Sequence, residues 1–160
     1  IKRTEKSGLH YLDTLPKALP ALMRAQKAQA KVARVNFDWA ELGDVVAKAE
    51  EELGELKTAI ASLATASPSG GGQDRSSIED EMGDLLFAVV NLARKCQLDA
   101  ESTLHAGTNK FVERFKRLED ELHARGKKLG DVDLAELDAI WDKIKQTSNA
   151  QRPTPDAEVS

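Results

Sequence analysis

Apolar residues recur at helical spacing along most of this chain. Val46, Ala49, Leu53, Leu56, Ile60 and Leu63 follow at steps of three and four, which predicts a helix over about 41–64. Its stripe is centred near Leu53 and Ile60. Ile78, Met82, Leu85, Val89 and Leu92 predict another helix over about 77–97, with Phe87 and Val90 pointing away from the stripe. A helix apolar nearly all round is buried on several sides, and in a chain this short that predicts a second subunit against it. Leu104, Thr108, Phe111, Phe115, Leu118 and Leu122 predict a helix over about 99–125. After the turn "RGKKLGD", a last helix is predicted on Leu134, Leu137, Ile140, Trp141 and Ile144. Ahead of all these, Pro16 and Pro20 suit the first turn of a helix holding "ALMRAQKAQAKVARV", which "NFDW" at 36–39 interrupts. No strand-like alternation occurs, so the predicted fold class is all-α.

The polar stretches set the divisions. Residues 1–15 read as an arm or linker, 16–147 as one helical domain, and 148–160 as a disordered tail with almost nothing to bury. "ASPSGGGQDRSS" at 66–77 predicts a flexible loop. "DLAE" at 133–136 has the form of a helix-start capping pair. At 160 residues the chain is long enough for a real core, and its low aromatic content of 4% beside 31% charged residues favours helices. A net charge of −4 gives no basic excess for a nucleic acid. No apolar run reaches the roughly 18 residues of a membrane span, and no secretory signal opens the chain. Cys96 is the one cysteine, which excludes an internal disulfide and suits a reducing, cytoplasmic setting. The start at Ile1 reads as a cut from something longer.

Two acidic clusters stand out against this pattern: "EEELGEL" at 50–56 and "EDEMGDL" at 79–85. Glu51 with Glu55, and Asp80 with Asp84, are like charges one turn apart, each costing about 0.2–0.5 kcal/mol. Glu52 lies roughly 75° from the centre of its stripe and Glu81 roughly 90° from its own. Glu55 and Asp84 follow them round the same flanks. In an antiparallel hairpin the four acids Glu52, Glu55, Glu81 and Asp84 converge at the seam. Such a group stays ionised only with strong counter-charge, and its oxygen donors suit the hard cations Mg²⁺ and Mn²⁺. His10, His105 and His123 are scattered, which disfavours zinc. The plainer alternative is that these acids are solvated helix flanks.

Basic residues accompany them. Lys110, Arg114 and Arg117 share one face of the fourth helix, with Asn109 beside Lys110. Trp141 and Lys145 are one turn apart, and Asn91 lies two turns beyond Asp84 on the same strip. A cation, basic groups and an aromatic together suit a nucleotide polyphosphate.

Taken together, "EEELGEL" and "EDEMGDLLFAVVNLAR" resemble the MazG family of nucleoside triphosphate pyrophosphohydrolases, within the all-α NTP pyrophosphatase superfamily. Glu51, Glu52 and Glu55 fill the first half of that family's E-E-x-x-E…E-x-x-D motif, and Glu81 and Asp84 the second. The likeness continues through "LPALMRAQKAQ", "FDW", "NKFVERF", "LEDELHARG" and "IWDKIK", covering roughly 16–146. It implies a four-helix-bundle-like MazG fold with a fifth C-terminal helix, dimeric, like the C-terminal domain of two-domain members. The "CPWD" signature of the other half is missing here.

The resemblance also implies Mg²⁺-dependent hydrolysis of a nucleoside triphosphate to the monophosphate and pyrophosphate, in nucleotide-pool sanitation. Glu52, Glu55, Glu81 and Asp84 match the family's metal ligands; Lys48, Lys110, Arg114, Trp141 and Lys145 match positions linked with nucleotide binding. Glu51 or Glu55 would take the proton from the attacking water. A dNTP-selective or phosphoribosyl-ATP pyrophosphohydrolase shares the same acidic core. A non-catalytic helical dimerisation module would keep the fold without needing all four acids.

Overall fold

The computed structural model describes residues 10–65 and 71–150, which among them form helices and turns with no strand. In order these are α1 (Ala21–Ala33), α2 (Leu42–Thr65), α3 (Gly71–Lys95), α4 (Ala100–Ala124) and α5 (Leu134–Ala150). The fold is all-α. It groups into two compact units, Ile1–Thr103 and Leu104–Ser160, with the boundary inside α4.

In the first unit α3 packs against both α2 and α1. The short connection through 66–70 makes α2 and α3 antiparallel neighbours. Val45, Leu56, Ala88, Val90 and Ala100 are its buried apolar residues. The face that α2 buries differs from the expected one. Val46, Leu53, Ile60 and Leu63 are exposed, whereas Val45, Glu52 and Leu56 are buried. That face is turned roughly 90° from Leu53. The helix carries two apolar strips, and the one with the larger side chains is not the one that meets α3. On α3 the same happens: Ala88 and Val90 are buried while Met82 and Val89 stay exposed.

Three helix ends share one geometry. Phe37 N–H donates to Val32 O at 3.2 Å, Leu98 N–H to Ala93 O at 2.9 Å and Lys127 N–H to Leu122 O at 2.9 Å. The residue before each donor is left-handed: Asn36 (φ 65), Gln97 (φ 60) and Gly126 (φ 71). This hydrogen-bond pattern satisfies the last carbonyls and turns the chain sharply. Beyond Gln97, Gln26 ties α1 to the start of α4: its Nε2 donates to Leu98 O at 2.9 Å and its Oε1 accepts from Ala100 N–H at 2.8 Å.

The second unit is built on Leu118, Leu122 and Ile140, with Val132, Leu137, Trp141 and Ile144 packed around them. Leu104, Phe111 and Leu134, expected in the core, are exposed. Half of the expected capping pair forms: Asp133 Oδ1 accepts Glu136 N–H at 3.0 Å. The Glu136 carboxylate instead takes Lys127 Nζ at 2.8 Å on both oxygens.

Three boundaries move. Residues 71–77, expected as loop, are the first turns of α3, because extending a helix fixes one residue per added hydrogen bond; Arg75 and Glu79 pair there at 3.5 Å. The rest of that loop, 66–70, lies outside the described residues, as do 1–9 and 151–160 of the expected arm and tail. Residues 148–150, expected in the tail, continue α5. Residues 10–15, expected as a linker, are tied to α1: Tyr11 Oη donates to Lys31 O at 3.1 Å, and Lys31 Nζ lies 4.7 Å from the Tyr11 ring and bonds Thr14 Oγ1.

Candidate active site

Glu52 is the side chain on which this site is built. It sits at i and i+3 with Glu55 on α2, facing the Glu81–Asp84 pair at the same spacing on α3. Carboxylate oxygens of Glu52, Glu81 and Asp84 lie within 4.8 Å of one another, and so do those of Glu51, Glu52 and Glu55. Glu52 is only 6% exposed, although it is charged. Its Oε1 meets Lys48 Nζ at 2.6 Å, and the same ammonium meets Glu51 Oε1 at 2.7 Å. Its Oε2 is buried and has no hydrogen-bond partner.

The electrostatics follow from this crowding. The negative charge of Glu52, with some burial and the charge of Glu81, pushes the Glu55 carboxyl above its ordinary value. Hydrogen bonds to Glu51 and then Glu52 hold the Lys48 ammonium well above the usual lysine range. One lysine thus serves two carboxylates while neighbouring acids repel each other. An open cleft of about 620 Å³ runs along Glu51, Glu55 and Glu81, with Gly54, Thr58 and Ser62 in its wall. A Cβ added at Gly54 or Gly83 would meet nothing within 4 Å.

The donor set fits a hard divalent cation. All donors are carboxylate oxygens from two helices, one oxygen is buried and unpartnered, and no histidine or cysteine joins either group among the described residues. Arrangements of this kind bind metal at the expense of apo-state repulsion.

Of the other residues singled out by the sequence, Asn91 lies in the first unit, where its Oδ1 accepts from Arg94 Nε at 2.9 Å and Nη2 at 2.8 Å. Asn109, Lys110, Arg114, Trp141 and Lys145 belong to the second unit. Asn109 and Lys110 are exposed, and Arg114 Nε is buried without a partner. The Trp141 ring packs on Phe111 with centroids 5.2 Å apart, and Lys145 Nζ pairs with Asp142 at 3.1 Å.

Helical spacing does not single out Gln29, Asp38 or Arg94, which together edge a second cavity. This one has a volume of about 450 Å³ and lies between α1, the segment 36–39 and α3, with Val32, Phe37, Trp39, Phe87 and Asn91 also in its wall. Gln29 is 5% exposed; its Nε2 donates to Phe87 O at 2.8 Å and its Oε1 has no partner. Arg94 Nη2 meets Asp38 Oδ1 at 2.5 Å, and Lys95 Nζ donates to Trp39 O at 2.5 Å. The hydrogen bond from Arg94 holds the Asp38 carboxyl below its ordinary range. The pairing spans 56 residues, which no periodicity encodes; the aromatic break at "FDW" is the one local signal.

Comparison with known proteins agrees with the acidic motif. Residues 44–119 match the MazG nucleotide pyrophosphohydrolase domain. The chain is 41% identical over 145 residues to the nucleoside triphosphate pyrophosphohydrolase of Escherichia coli K12, covering 91% of this chain and 52% of that protein. It is 40% identical over 127 residues to the nucleoside triphosphate pyrophosphohydrolase/pyrophosphatase MazG of Thermotoga maritima, covering 79% and 45%. The chain thus spans about half the length of the curated relatives it matches. The stretch 44–119, which contains both acidic pairs, is thus a MazG nucleotide pyrophosphohydrolase domain.

Proposed function

We propose that this chain hydrolyses nucleoside triphosphates to the monophosphate and pyrophosphate with Mg²⁺ as its cofactor, Mn²⁺ being the natural substitute. The observation that carries this reading is the buried, unpartnered Glu52 Oε2 beside Glu81 and Asp84. An acid retained in that position costs stability unless a cation completes it. Two matched relatives carry names for this activity, and their similarity covers most of the chain.

In this mechanism Glu52, Glu55, Glu81 and Asp84 hold the cation, which offsets the phosphate charge and makes water more acidic. Lys48 fixes Glu51 and Glu52 in place. Water attacks the α-phosphorus: the new oxygen–phosphorus bond forms as the bond to the bridging oxygen breaks, and pyrophosphate leaves with that oxygen. Glu51 or Glu55 would take the proton from that water. Asn91, in the same unit as the acids, would contact the nucleotide. The setting is nucleotide-pool sanitation in the cytoplasm; among the described residues no helix is long and apolar enough to cross a membrane.

A homodimer goes with this reading. Leu53 and Ile60 on α2, and Leu86, Phe87 and Val89 on α3, are large apolar side chains left exposed. Patches of that extent favour association. Sedimentation at micromolar concentration should give twice the chain mass. The activity itself is tested by incubating the chain with Mg²⁺ and a panel of NTPs, dNTPs and phosphoribosyl-ATP. Pyrophosphate release is the expected result; none from any of them would overturn the assignment.

A further inference from the structure

We propose that residues 10–15 form a strap that closes one wall of the cavity between α1, the segment 36–39 and α3. Leu12 is its seat, and the contact of Tyr11 with Lys31 is its clasp. An occupied cavity holds the strap down, and release of the clasp lets it lift. The nucleotide reading enters only as the choice of what fills the cavity.

Two turns give the strap a shape of its own. Asp13 N–H donates to His10 O at 3.0 Å and Leu15 N–H to Leu12 O at 2.9 Å, while His10 N–H donates to Asp13 Oδ2 at 2.8 Å. Among the described residues its polar links to the rest of the fold converge on Lys31. Tyr11 Oη donates to Lys31 O at 3.1 Å, and Lys31 Nζ lies 4.7 Å from the Tyr11 ring and also bonds Thr14 Oγ1. Lys31 stands in the last turn of α1, where carbonyls run out of helical partners. Arg34 N–H reaches the same oxygen at 3.3 Å, and the tyrosine hydroxyl supplies its second donor.

The clasp sits where it can govern the cavity. Leu12 lines the wall beside Ala28 and Val32 of α1, yet it is 40% exposed, so it is a rim residue and not part of the core. A segment held by exposed polar contacts and one apolar seat opens at lower free energy than the core does. The wall formed by 36–39 is held differently: Asp38 pairs with both Arg94 and Lys95 of α3. The strap is therefore the wall that can move. An occupant that touches Leu12 gains apolar contact only in the closed form, and so shifts the population towards it. Asn91, also in the wall, follows Asp84 by seven residues, roughly 10 Å along α3. A nucleotide held at the acids is long enough to reach this cavity.

Backbone amide exchange on the full chain, read by NMR, tests this in two stages. Without nucleotide, Tyr11→Phe and Leu12→Ala should each speed exchange at Asp13 and Leu15 by about threefold to tenfold, the scale of one lost contact. The amides of Leu98 and Lys127, which close helix ends elsewhere, should keep their parent rates. Unchanged rates at Asp13 and Leu15 would overturn the clasp. A rise at all four amides would show a general loosening and overturn it as well. The second stage adds Mg²⁺ and an ATP analogue with methylene in place of the α,β-bridging oxygen. Exchange at Asp13 and Leu15 should then slow in the parent and stay at its nucleotide-free rate in Leu12→Ala. Slowing at Phe37 alone would mean that the cavity fills without closing, and would sink the proposal. No response to the analogue at any amide would count against the nucleotide reading and not against the strap, which the first stage decides. In turnover, Tyr11→Phe should raise KM with kcat kept, because the closed form is less populated. A lower kcat at the parent KM would place the effect on the chemical step and contradict a strap.

Discussion

Lys48 Nζ stands 2.6 Å from Glu52 Oε1, on the one oxygen of that carboxylate that has a partner. The lysine fixes the orientation of the buried acid without neutralising the group around it. One ammonium faces Glu51 and Glu52 at once, and Glu55, Glu81 and Asp84 remain crowded against the same centre.

Glu81→Gln and Glu52→Gln should therefore each lower Mg²⁺-dependent pyrophosphate release by about a hundredfold or more, the scale of losing several kcal/mol of charge stabilisation. Gln keeps the size and helix propensity of Glu, so helical circular dichroism should be unchanged. Turnover within about twofold of the parent in both variants would remove the metal assignment.

Cation binding should also be visible without turnover. Mg²⁺ or Mn²⁺ at a hundred times its dissociation constant should stabilise the parent by about 2.7 kcal/mol, read as a rise in Tm. The rise should vanish in Glu81→Gln. A metal-free Glu81→Gln protein should melt no lower than the metal-free parent, because one repelling charge near Glu55 is gone.

Asp38 gives a pH dependence with a definite sign. The hydrogen bond from Arg94 lowers its folded-state pKa below the ordinary value of 3.8. Its stabilisation is present above that ordinary value and is lost as pH falls through the folded one. In urea unfolding, Asp38→Asn should cost about 1 kcal/mol at neutral pH, and the difference from the parent should shrink below about pH 4. A difference that stays constant down to pH 2 would show that the charge is not what matters.

The cap of α5 is a local test. Asp133→Ala removes the acceptor for Glu136 N–H and should cost about 1 kcal/mol. Asp133→Asn should recover most of it, since the amide oxygen can still accept. Equal losses in both variants would place the effect outside the cap.

Helix positions were legible because periodicity is local: α2 and α4 begin and end within a residue or two of the spans their spacing predicts. Which strip each helix buries was not. Leu53 and Glu52 are adjacent in sequence, and hydropathy favours burying the leucine, yet Glu52 is inside and Leu53 outside. Packing between α2 and α3 decides that, and apolar content along one helix cannot reveal it. The acidic pairs could be picked out for the same reason as the helices, since E-x-x-E on α2 and E-x-x-D on α3 are short-range patterns. The Gln29 cavity was hidden, because α1 and the segment just after it meet α3 from across the chain, Asp38 and Arg94 being 56 residues apart.

Gly54 and Gly83 have a use as probes. Each lies inside a helix beside the acids, neither needs its missing side chain for any contact made by this chain, and each faces open space. Replacing either by alanine adds a single methyl and should raise stability by about 1 kcal/mol through helix propensity alone. Whatever that methyl then obstructs is something the lone chain does not contain. If Gly54→Ala is more stable and fully active, the space beside it carries only solvent. If it is more stable and slower, the methyl marks the footprint of the nucleotide. If Gly83→Ala instead shifts sedimentation towards the single chain, it marks the footprint of a second copy. One-carbon additions at two helix positions thus map an occupant by the shadow it casts on an otherwise favourable substitution.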